Sequence, residues 1–521
     1  MQKLQIIVSA MTTKNRNARG FSLLPNEILA EIFQLACTTS DDTLKSLSHV
    51  CRFFRNVALT PQLWTSAVDY QHDHPEWVRE KLARCATLPV VVKAHFPMHS
   101  DRGIQNVYLA LKESAVHTLD IQGPPEIMDQ LWKNLDAGFL RSLSLFIPWE
   151  QMPKTNPYPG PTFEMNAPRL RTLSLSNFIA WDASIFNNLT HLRLHLQDPR
   201  FAPSIAQILG MLASSPMLAE LNLLHSIESS SRLPSHESIG VVTLAHLTTF
   251  LLDDDTSNHI FLLRHIEIPA HCALSLKVEH RANDLLAELG RSISTTSLSL
   301  NKVEKLDVEG GPSHLTIRGY TPAKHANPLI QLTLRCPARY LDSENASIAG
   351  MILTSLPLIA PTALELVFCH PNSASTPANA WQTSIPVNGW QQCLQNLGTV
   401  ESLRVKPTTP CNLLSALSAS VNGVPVVLPL LRSLEVHHPE VITPLKDDVS
   451  ARKKPQLGAW WQEVEAKETT FFDTLLACLK QRQEMGAKIH SLRVARCSPC
   501  SSQQTVTQSL KSVVADVFWC L

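Results

Sequence analysis

The sequence predicts an α/β repeat fold, in which an all-α helical module is followed by an irregular solenoid of short strands and helices. Residues 21–70 carry apolar side chains at helical spacing. Beyond residue 100, a unit of one apolar residue, two polar residues and an apolar-x-apolar pair returns many times. A chain of 521 residues is too long for one compact core, so we expect a small module joined to a large or elongated body.

The first helix of the module is predicted to begin at Leu24-Pro25. Proline is tolerated in a first helical turn, because its missing N–H group would be unpaired there anyway. The apolar side chains that follow at helical spacing are Ile28, Leu29, Ile32, Phe33 and Leu35. Glu27 and Glu31 lie on the other side, so the pattern indicates an amphipathic helix.

A second helix is predicted from Ser40-Asp41-Asp42, whose short oxygen acceptors suit the unpaired N–H groups of a first turn. Its apolar stripe consists of Leu44, Leu47, Cys51, Phe54 and Ala58. Thr60-Pro61 ends this helix, and Leu63-Trp64 is placed to close over both helices. A module this short buries too little surface for a self-sufficient core, so we expect one face to bind a partner.

These residues resemble an F-box, the module that docks a protein on the Skp-type adaptor of a cullin-type ubiquitin ligase. The matching residues are Leu24-Pro25, Glu27-Ile28-Leu29, Ile32-Phe33, Val50-Cys51-Arg52, Phe54-Arg55 and Leu63-Trp64. Phe54 stands where many relatives have tryptophan. The resemblance implies adaptor contact at or next to Leu24, Pro25, Ile28, Leu29, Ile32 and Phe33, with Leu47, Val50 and Trp64 partly structural. The alternative is an ordinary helical hairpin that opens a larger domain.

Residues 71–100 are predicted to form a junction helix and strand. Val78, Leu82 and Cys85 lie on one helical face, and Leu88-Pro89 then leads into the apolar run at 90–92. This junction resembles that of a large group of F-box proteins in mushroom-forming fungi, in which an irregular leucine-rich array follows. The resemblance implies a degenerate leucine-rich-repeat, substrate-binding domain over residues 101–497, and leaves 498–521 as a C-terminal segment.

The repeating unit supports such an array, although a pattern this short also arises by chance. It begins at Val116, Leu140, Leu170, Leu189, Leu218, Leu247, Leu263, Val303, Leu329, Val400, Leu431 and Ile489. In a leucine-rich repeat the alternating apolar pair faces inward from a short strand. The spacing of the units is uneven, with 71 residues between Leu329 and Val400. We therefore expect a degenerate solenoid with insertions, and the alternative is an ordinary α/β domain with a parallel sheet.

One stretch shows a complete helix–turn–strand unit. Ile205, Ile208, Leu209 and Leu212 form a helical face, and Pro216 ends the helix before the unit that begins at Leu218. The units at Leu431 and Ile489, with a predicted helix over 471–483 between them, repeat the same order, and Pro-rich or polar breaks at 148–161, 370–386 and 439–457 indicate surface loops or insertions.

Composition narrows the classes of partner. Lys plus Arg equals Asp plus Glu at 45 each, so the zero net charge predicts neither nucleic acid nor an anionic membrane as a partner. Twelve scattered cysteines fit reduced thiols in the cytosol or nucleus. Residues 1–20 are expected to be a disordered leader, with a weak transit peptide as the alternative. The sequence contains no run of eighteen apolar residues, so it predicts no transmembrane helix.

Motifs that carry chemistry are missing from the sequence. It contains no Gly-rich phosphate loop, HExxH or GxSxG motif, and only 17 glycines. Cys497 and Cys500 form a lone CxxC pair, whereas a zinc site needs a second ligand pair. Cys497 also fits the Asn-or-Cys position of a repeat. We therefore predict no catalytic residue, no metal and no cofactor.

The expected function is substrate recognition in an Skp–cullin–F-box type ubiquitin ligase, with the body holding an unknown target protein. Strand residues that flank the inward leucines would face that target, and their basic character predicts an acidic or phosphorylated segment. The candidate target-binding residues are His191, Arg193, His195, Arg404, Lys406, Glu435, His437 and Arg493. Two alternatives stay open: a scaffold that binds the adaptor without a cullin, and an enzyme with its site in the C-terminal body.

Overall fold

The structure, a computed structural model, divides the chain into two compact units, unit 1 (Met1–Leu233) and unit 2 (Pro234–Leu521). It describes residues 24–37, 42–65, 70, 73–85, 87–96, 101–132, 135, 137–148, 150, 167–178, 183–198, 202–228, 240–279, 283–296, 298–310, 314–322, 327–335, 342–356, 358, 361–368, 386–406, 410–437, 470–495 and 503–520. The predicted leader, residues 1–20, and the Cys497–Cys500 pair lie outside these residues.

The described part of unit 1 begins with five short helices, of which the first four lie in the predicted helical module and the fifth is in the predicted junction. They are α1 (Asn26–Cys37), α2 (Asp42–Ser48), α3 (Arg52–Ala58), α4 (Pro61–Trp64) and α5 (Pro75–Arg84). The sequence predicted a single continuous second helix that ends after Ala58. This prediction is wrong, because the helix is interrupted between α2 and α3. Cys51 is extended there (φ −160°, ψ 172°) and its Sγ accepts the N–H of Phe54 at 3.4 Å, so it caps α3 instead of continuing α2.

The rest of unit 1 is a parallel sheet whose strands pair in chain order. The strands are β1 (Val90–His95), β2 (Val116–Gln122), β3 (Ser142–Phe146), β4 (Thr172–Ser176), β5 (His191–His195) and β6 (Glu220–Leu224). The helices of this part are α6 (Asp101–Glu113), α7 (Pro125–Trp132) and α8 (Ile205–Ala213). One buried row of leucines crosses the sheet at Leu119, Leu143, Leu173, Leu192 and Leu221. The predicted units of this part therefore do lead into strands.

Helix α8 confirms the helical part of the repeat that the sequence indicates before Leu218. Its four predicted core residues are at most 4% exposed. Ser204 caps its first turn with a capping box: the side chain of Ser204 accepts from the N–H of Gln207, whose side chain accepts from the N–H of Ser204. Leu218, Leu221 and Leu223 are fully buried around β6.

Unit 2 also contains a sheet, but its strand order departs from the chain order. The strands are β7 (Val242–Thr243), β8 (Thr249–Asp255), β9 (Ile266–Glu267), β10 (Ala273–Glu279), β11 (Lys305–Gly310), β12 (His314–Tyr320), β13 (Ile330–Arg335), β14 (Ala363–Phe368), β15 (Ser402–Lys406), β16 (Ser420–Val421), β17 (Val424–Pro425), β18 (Ser433–His437), β19 (Ser491–Ala495) and β20 (Asp516–Cys520). The main sheet runs β8-β10-β13-β12-β11-β14-β15-β18-β19-β20. β12 is antiparallel to both of its neighbours, and the other pairs described in this sheet are parallel.

The helices of unit 2 pack side by side in chain order from α9 to α13. They are α9 (Thr256–His265), α10 (Asn283–Ser294), α11 (Asp342–Ser355), α12 (Val387–Leu394), α13 (Pro410–Ser418), α14 (470–484) and α15 (Gln503–Lys511). Arg482 of α14 is fully buried and donates to the carbonyl oxygens of Leu417 at 3.0 Å and Leu428 at 2.7 Å. This arginine therefore ties α14 to the last turn of α13 and to the chain that follows it.

The expected combination of a helical module and a strand-rich α/β body is confirmed, and the leucine-rich solenoid stays a prediction. The unit predicted at Leu263 is wrong, because that residue lies inside α9. Strands β10, β12, β14 and β20 carry no predicted unit. The predicted domain boundaries also stay predictions, and the first compact unit contains both the helical module and the strands up to β6.

Candidate functional site

The helical module has a small aromatic core. The rings of Phe33 and Phe54 meet edge to face with centroids 5.2 Å apart, and Leu29 is fully buried beside them in α1. Trp64 is 3% exposed, and its indole N–H donates to the carbonyl oxygen of Ala58 at 2.8 Å. Leu29, Phe33 and Trp64 are therefore core residues that stabilise the module, and they lie beneath its surface.

The opposite side of α1 exposes apolar side chains. Ile28 is 42% exposed and Leu35 is 71% exposed, while Leu24 and Ile32 are half-buried. The four residues are spaced as one helical stripe, which we call the α1 stripe. Packing alone explains a buried cluster of large apolar side chains. An exposed cluster is not explained by packing and therefore indicates an interaction site.

The turn between α2 and α3 adds to this exposed apolar surface. Val50 is 54% exposed in that turn, Pro25 is exposed at the start of α1, and Leu47 is half-buried. Six of the nine predicted adaptor contacts are therefore accessible. Leu35 was not among the nine, although its position seven residues after Ile28 is a sequence signal for the same stripe.

A joint of aromatic and basic side chains connects the module to the sheet of unit 1. The rings of Trp64 and Trp77 lie perpendicular with centroids 6.5 Å apart, and the guanidinium of Arg84 lies 4.5 Å from the Trp64 ring and 5.2 Å from the Trp77 ring. Such cation–π contacts strengthen as they are shielded from water. The N–H of Val91, in β1, donates to the carbonyl oxygen of Thr65 at 2.8 Å.

A second set of polar contacts closes the same joint. Lys81 of α5 forms a largely buried ion pair with Asp73. The side-chain amide of Asn106, fully buried in α6, donates to the carbonyl oxygens of Tyr70 at 3.0 Å and Asp73 at 2.8 Å. The helical module and the start of the sheet are thus joined by packed side chains as well as by the chain itself.

The predicted target-binding residues of unit 1 lie together on β5. Arg193 is exposed, and its strand neighbours in the register are Ser174 and Asn222. His191 lies 3.9 Å from a carboxylate oxygen of Glu220, and both side chains are nearly half exposed. His195 is half-buried on the same strand.

The predicted target-binding residues of unit 2 lie on neighbouring strands, where carboxylates already pair with the cations. Arg404 Nε lies 2.8 Å from Glu435, Lys406 Nζ lies 2.7 Å from Glu365, and Arg493 lies 3.6 Å from Glu435. The cations that the sequence offered for an acidic target therefore face carboxylates of the protein itself. His437 belongs to β18, but its side chain lies outside the described residues.

Glu365 is the residue of this surface that the sequence reasoning missed. Besides Lys406, it pairs with Lys305 at 3.2 Å, and Lys305 also lies 2.9 Å from Asp307. Burial by itself would raise the pKa of Glu365, but hydrogen bonds and charges from Lys406 and Lys305 outweigh it and hold that pKa below its usual value. Pro361 stands at the leading apolar position of this strand, which hides it from the repeat pattern.

The described residues form neither a metal-binding cluster nor a membrane-spanning helix. Within the described ranges, no group of three or more His, Cys, Asp or Glu side chains could hold a metal ion. In the same part of the chain, no helix is both long enough and apolar enough to span a bilayer.

Comparison with known proteins identifies the helical module. A family model described as F-box-like matches residues 21–68, which contain the α1 stripe and the aromatic core beneath it. A search of curated proteins found no match. The chain therefore carries an F-box-like domain, followed by a strand-rich α/β body.

Proposed function

We propose that this protein is the substrate-recognition subunit of an Skp–cullin–F-box type ubiquitin ligase. The observation that carries the proposal is the F-box-like match over residues 21–68. In this proposal the F-box-like domain docks on a Skp-type adaptor, and a separate conjugating enzyme supplies the chemistry. The receptor contributes by raising the local concentration of a bound target.

The exposed α1 stripe supports adaptor docking through apolar burial. Ile28 and Leu35 remain accessible although Leu29 and Phe33, on the same helix, fill the core. Burial of exposed apolar surface on binding contributes about 25 cal/mol per Å². We propose that the α1 stripe, together with Val50, forms the central contact with the adaptor.

The body is proposed to be a degenerate leucine-rich-repeat domain that binds the target protein in the cytosol or nucleus. Parallel strands preceded by an apolar residue two positions earlier, as at Leu140 and Leu170, support this interpretation. The proposed partners are a Skp-type adaptor, a cullin bound through it and a target protein, with neither nucleic acid nor a membrane among them.

Adaptor binding is tested by copurifying the full chain with a Skp-type adaptor. We expect the wild type to bind and Ile28→Asp to lose at least tenfold in affinity, because truncating or charging a central apolar anchor costs about 2 kcal/mol or more. Met217→Asp is the matched control, since Met217 is 51% exposed in unit 1 but lies outside the F-box-like domain. Circular dichroism would verify that both variants stay folded.

The outcomes separate the proposal from its alternatives. A wild-type chain that does not bind the adaptor, or an Ile28→Asp variant that binds equally well, contradicts docking through the α1 stripe. Recovery of a cullin with the wild-type complex supports a ligase subunit. Recovery of the adaptor alone, when a cullin is supplied, supports the scaffold instead.

A further inference from the structure

A row of three basic side chains lies where strands β2, β3 and β4 of unit 1 begin. The N–H of Arg141 donates to the carbonyl oxygen of His117 at 2.8 Å, and the N–H of Arg171 donates to that of Arg141 at 2.8 Å. These backbone bonds place the three residues, which we call the basic row, on adjacent strands about 4.8 Å apart.

The basic row lacks a carboxylate partner among the described residues of unit 1. Arg141 and Arg171 are exposed, and Arg171 donates to the carbonyl oxygens of Leu170 at 2.8 Å and Pro168 at 3.4 Å. Like charges on neighbouring strands destabilise a sheet unless an anion lies between them. Arg404, Lys406 and Arg493 of unit 2 show the opposite arrangement, because carboxylates of the same surface pair with them.

An exposed aromatic ring borders the basic row. The guanidinium of Arg169 lies 5.3 Å from the ring of Phe139, which precedes β3 and is 42% exposed. Arg169 is exposed as well, which adds a third arginine to the same edge of the sheet. Cationic and aromatic groups in this combination favour protein segments that carry both acidic and apolar side chains.

Hydroxyl groups continue the surface beyond the basic row. Thr118, Ser142 and Thr172 form one register row, and the next row runs from Asp120 through Ser144 and Ser174 to Arg193. Hydroxyl groups donate to carboxylate oxygens and accept from backbone N–H groups, so this surface suits an extended chain.

We propose that the basic row, with Arg169, binds a segment of the target protein that is rich in aspartate and glutamate. This inference rests on the proposed function, and it places the acidic-target site at the start of β2, β3 and β4 rather than at the residues predicted on β5 and in unit 2. Single cations spread along an edge match successive carboxylates of an extended chain, and each arginine guanidinium can donate to two carboxylate oxygens. The zero net charge of the chain argues against bulk attraction of nucleic acid.

The pH dependence of binding, which His117 sets, provides a second test of whether an acidic segment binds at the basic row. Burial lowers its pKa from 6.5, and the charge of Arg141 lowers it further. A carboxylate bound beside it would raise that pKa, so binding takes up a proton and strengthens as the pH falls towards 6.

The test uses the full chain in complex with the adaptor and a fluorescent twelve-residue peptide of alternating glutamate and serine. We expect the wild type to bind this peptide at about 0.1 M ionic strength, where the Debye length is about 10 Å. The double variant Arg141→Glu, Arg171→Glu should bind it at least tenfold more weakly. The charge-matched control is Lys112→Glu with Arg291→Glu, two exposed cations elsewhere, which should bind as the wild type does. Replacing glutamate by glutamine in the peptide should abolish binding.

Each outcome decides one point. Adaptor binding without peptide binding, or peptide binding that survives the Arg141/Arg171 reversal, overturns the inference and leaves the proposed function standing. Loss of adaptor binding by the wild type overturns the proposed function instead. The inference of an Asp- and Glu-rich segment is also overturned if a phosphoserine version of the peptide, or a twelve-nucleotide single-stranded RNA, binds more tightly than the glutamate peptide. The site would then select another class of anion.

Discussion

Glu365 is a carboxylate that three cations of neighbouring strands surround. Lys406 Nζ lies 2.7 Å from it, Lys305 Nζ lies 3.2 Å away, and Arg404 lies at 4.0 Å. The Glu365 side chain is only 12% exposed, whereas the side chains of Lys305 and Lys406 are about 40% exposed. Water therefore screens the cations more than the carboxylate, and the pairs contribute modestly to stability.

Removing this carboxylate should cost stability only where it is ionised. Glu365→Gln is expected to lower the free energy of unfolding by about 1–2 kcal/mol at pH 7, because hydrogen bonds to charged groups are lost. The pKa of Glu365 is lowered in the folded state, so its stabilisation is present above the unfolded value of 4.5 and is lost as the pH falls through the folded pKa. Urea unfolding at pH 7 and at about pH 3 measures both parts.

The control for this prediction is Glu401→Gln. Glu401 is exposed just before β15, and no ion pair is described for it, so its replacement should change stability little at either pH. A Glu365→Gln variant as stable as the wild type at pH 7, or equally destabilised at both pH values, would contradict the role given to the carboxylate.

At the scale of elements, helices α11 and α12 approach closely at a glycine. A Cβ at Gly350 would lie 2.9 Å from the carbonyl oxygen of Gln392 and 3.0 Å from the backbone nitrogen of Cys393. Neither contact is with a flexible side chain, so the helices would have to separate. This glycine is needed for packing and not for an unusual backbone angle.

Alanine substitutions at two helical glycines should therefore have opposite effects. Gly350→Ala is expected to destabilise unit 2 by about 1–3 kcal/mol, because it forces α11 away from α12. Gly210→Ala, in α8, should stabilise by about 0.5–1 kcal/mol, since nothing lies within 4 Å of its Cβ position and alanine favours the helix. Thermal unfolding of both variants measures the shifts. Equal midpoints for Gly350→Ala and the wild type would contradict the close contact.

The sequence predicted individual elements better than their ends and neighbours. The pattern of Leu170 and Leu218 indicated strands correctly, because the alternating leucines face one buried layer. The pattern at Leu263 predicted a strand wrongly. Helix α9 is buried on nearly every side, so its apolar residues also occur at the alternating spacing of a strand. The break at Cys51 was hidden, because apolar spacing continues across it while the backbone does not.

At the scale of the whole molecule, buried thiols distinguish parts of the chain that are packed from parts that are open. Burial raises the pKa of Cys85 to about 11, that of Cys393 to about 12 and that of Cys478 to about 11. Cys51, in the turn before α3, is exposed. The thiolate is the reactive form, so burial and a raised pKa both protect Cys85, Cys393 and Cys478, whereas Cys51 is accessible.

Alkylation of the native protein at pH 8 should therefore label Cys51 quickly, with Cys85, Cys393 and Cys478 protected. Peptide mapping by mass spectrometry after brief exposure to iodoacetamide measures this directly. Labelling in urea is the control, and it should equalise the four sites. Rapid native labelling of Cys393, which is 1% exposed, would show that unit 2 opens where α12 packs.

The order of strands in unit 2 shows what local patterns leave undetermined. β12 pairs antiparallel with β11 and β13, and β13 lies next to β10 although two strands separate them in the chain. A short apolar pattern identifies a strand but not its neighbour. For the same reason, the basic row could not be predicted: Arg141 and Arg171 are 30 residues apart, and only the parallel pairing brings them together.

Under the proposed function, the joint between the F-box-like domain and β1 would have a geometric consequence for ubiquitin transfer. With Trp64 and Trp77 packed edge to face, Arg84 over both rings and the Val91 N–H bonded to the carbonyl oxygen of Thr65, the F-box-like domain and the first strands would move together as one body. A target held on that body would be presented at a fixed angle to the conjugating enzyme. Under the proposed function, this edge-to-face packing would then set which target lysines come within reach, far from any residue that touches the target.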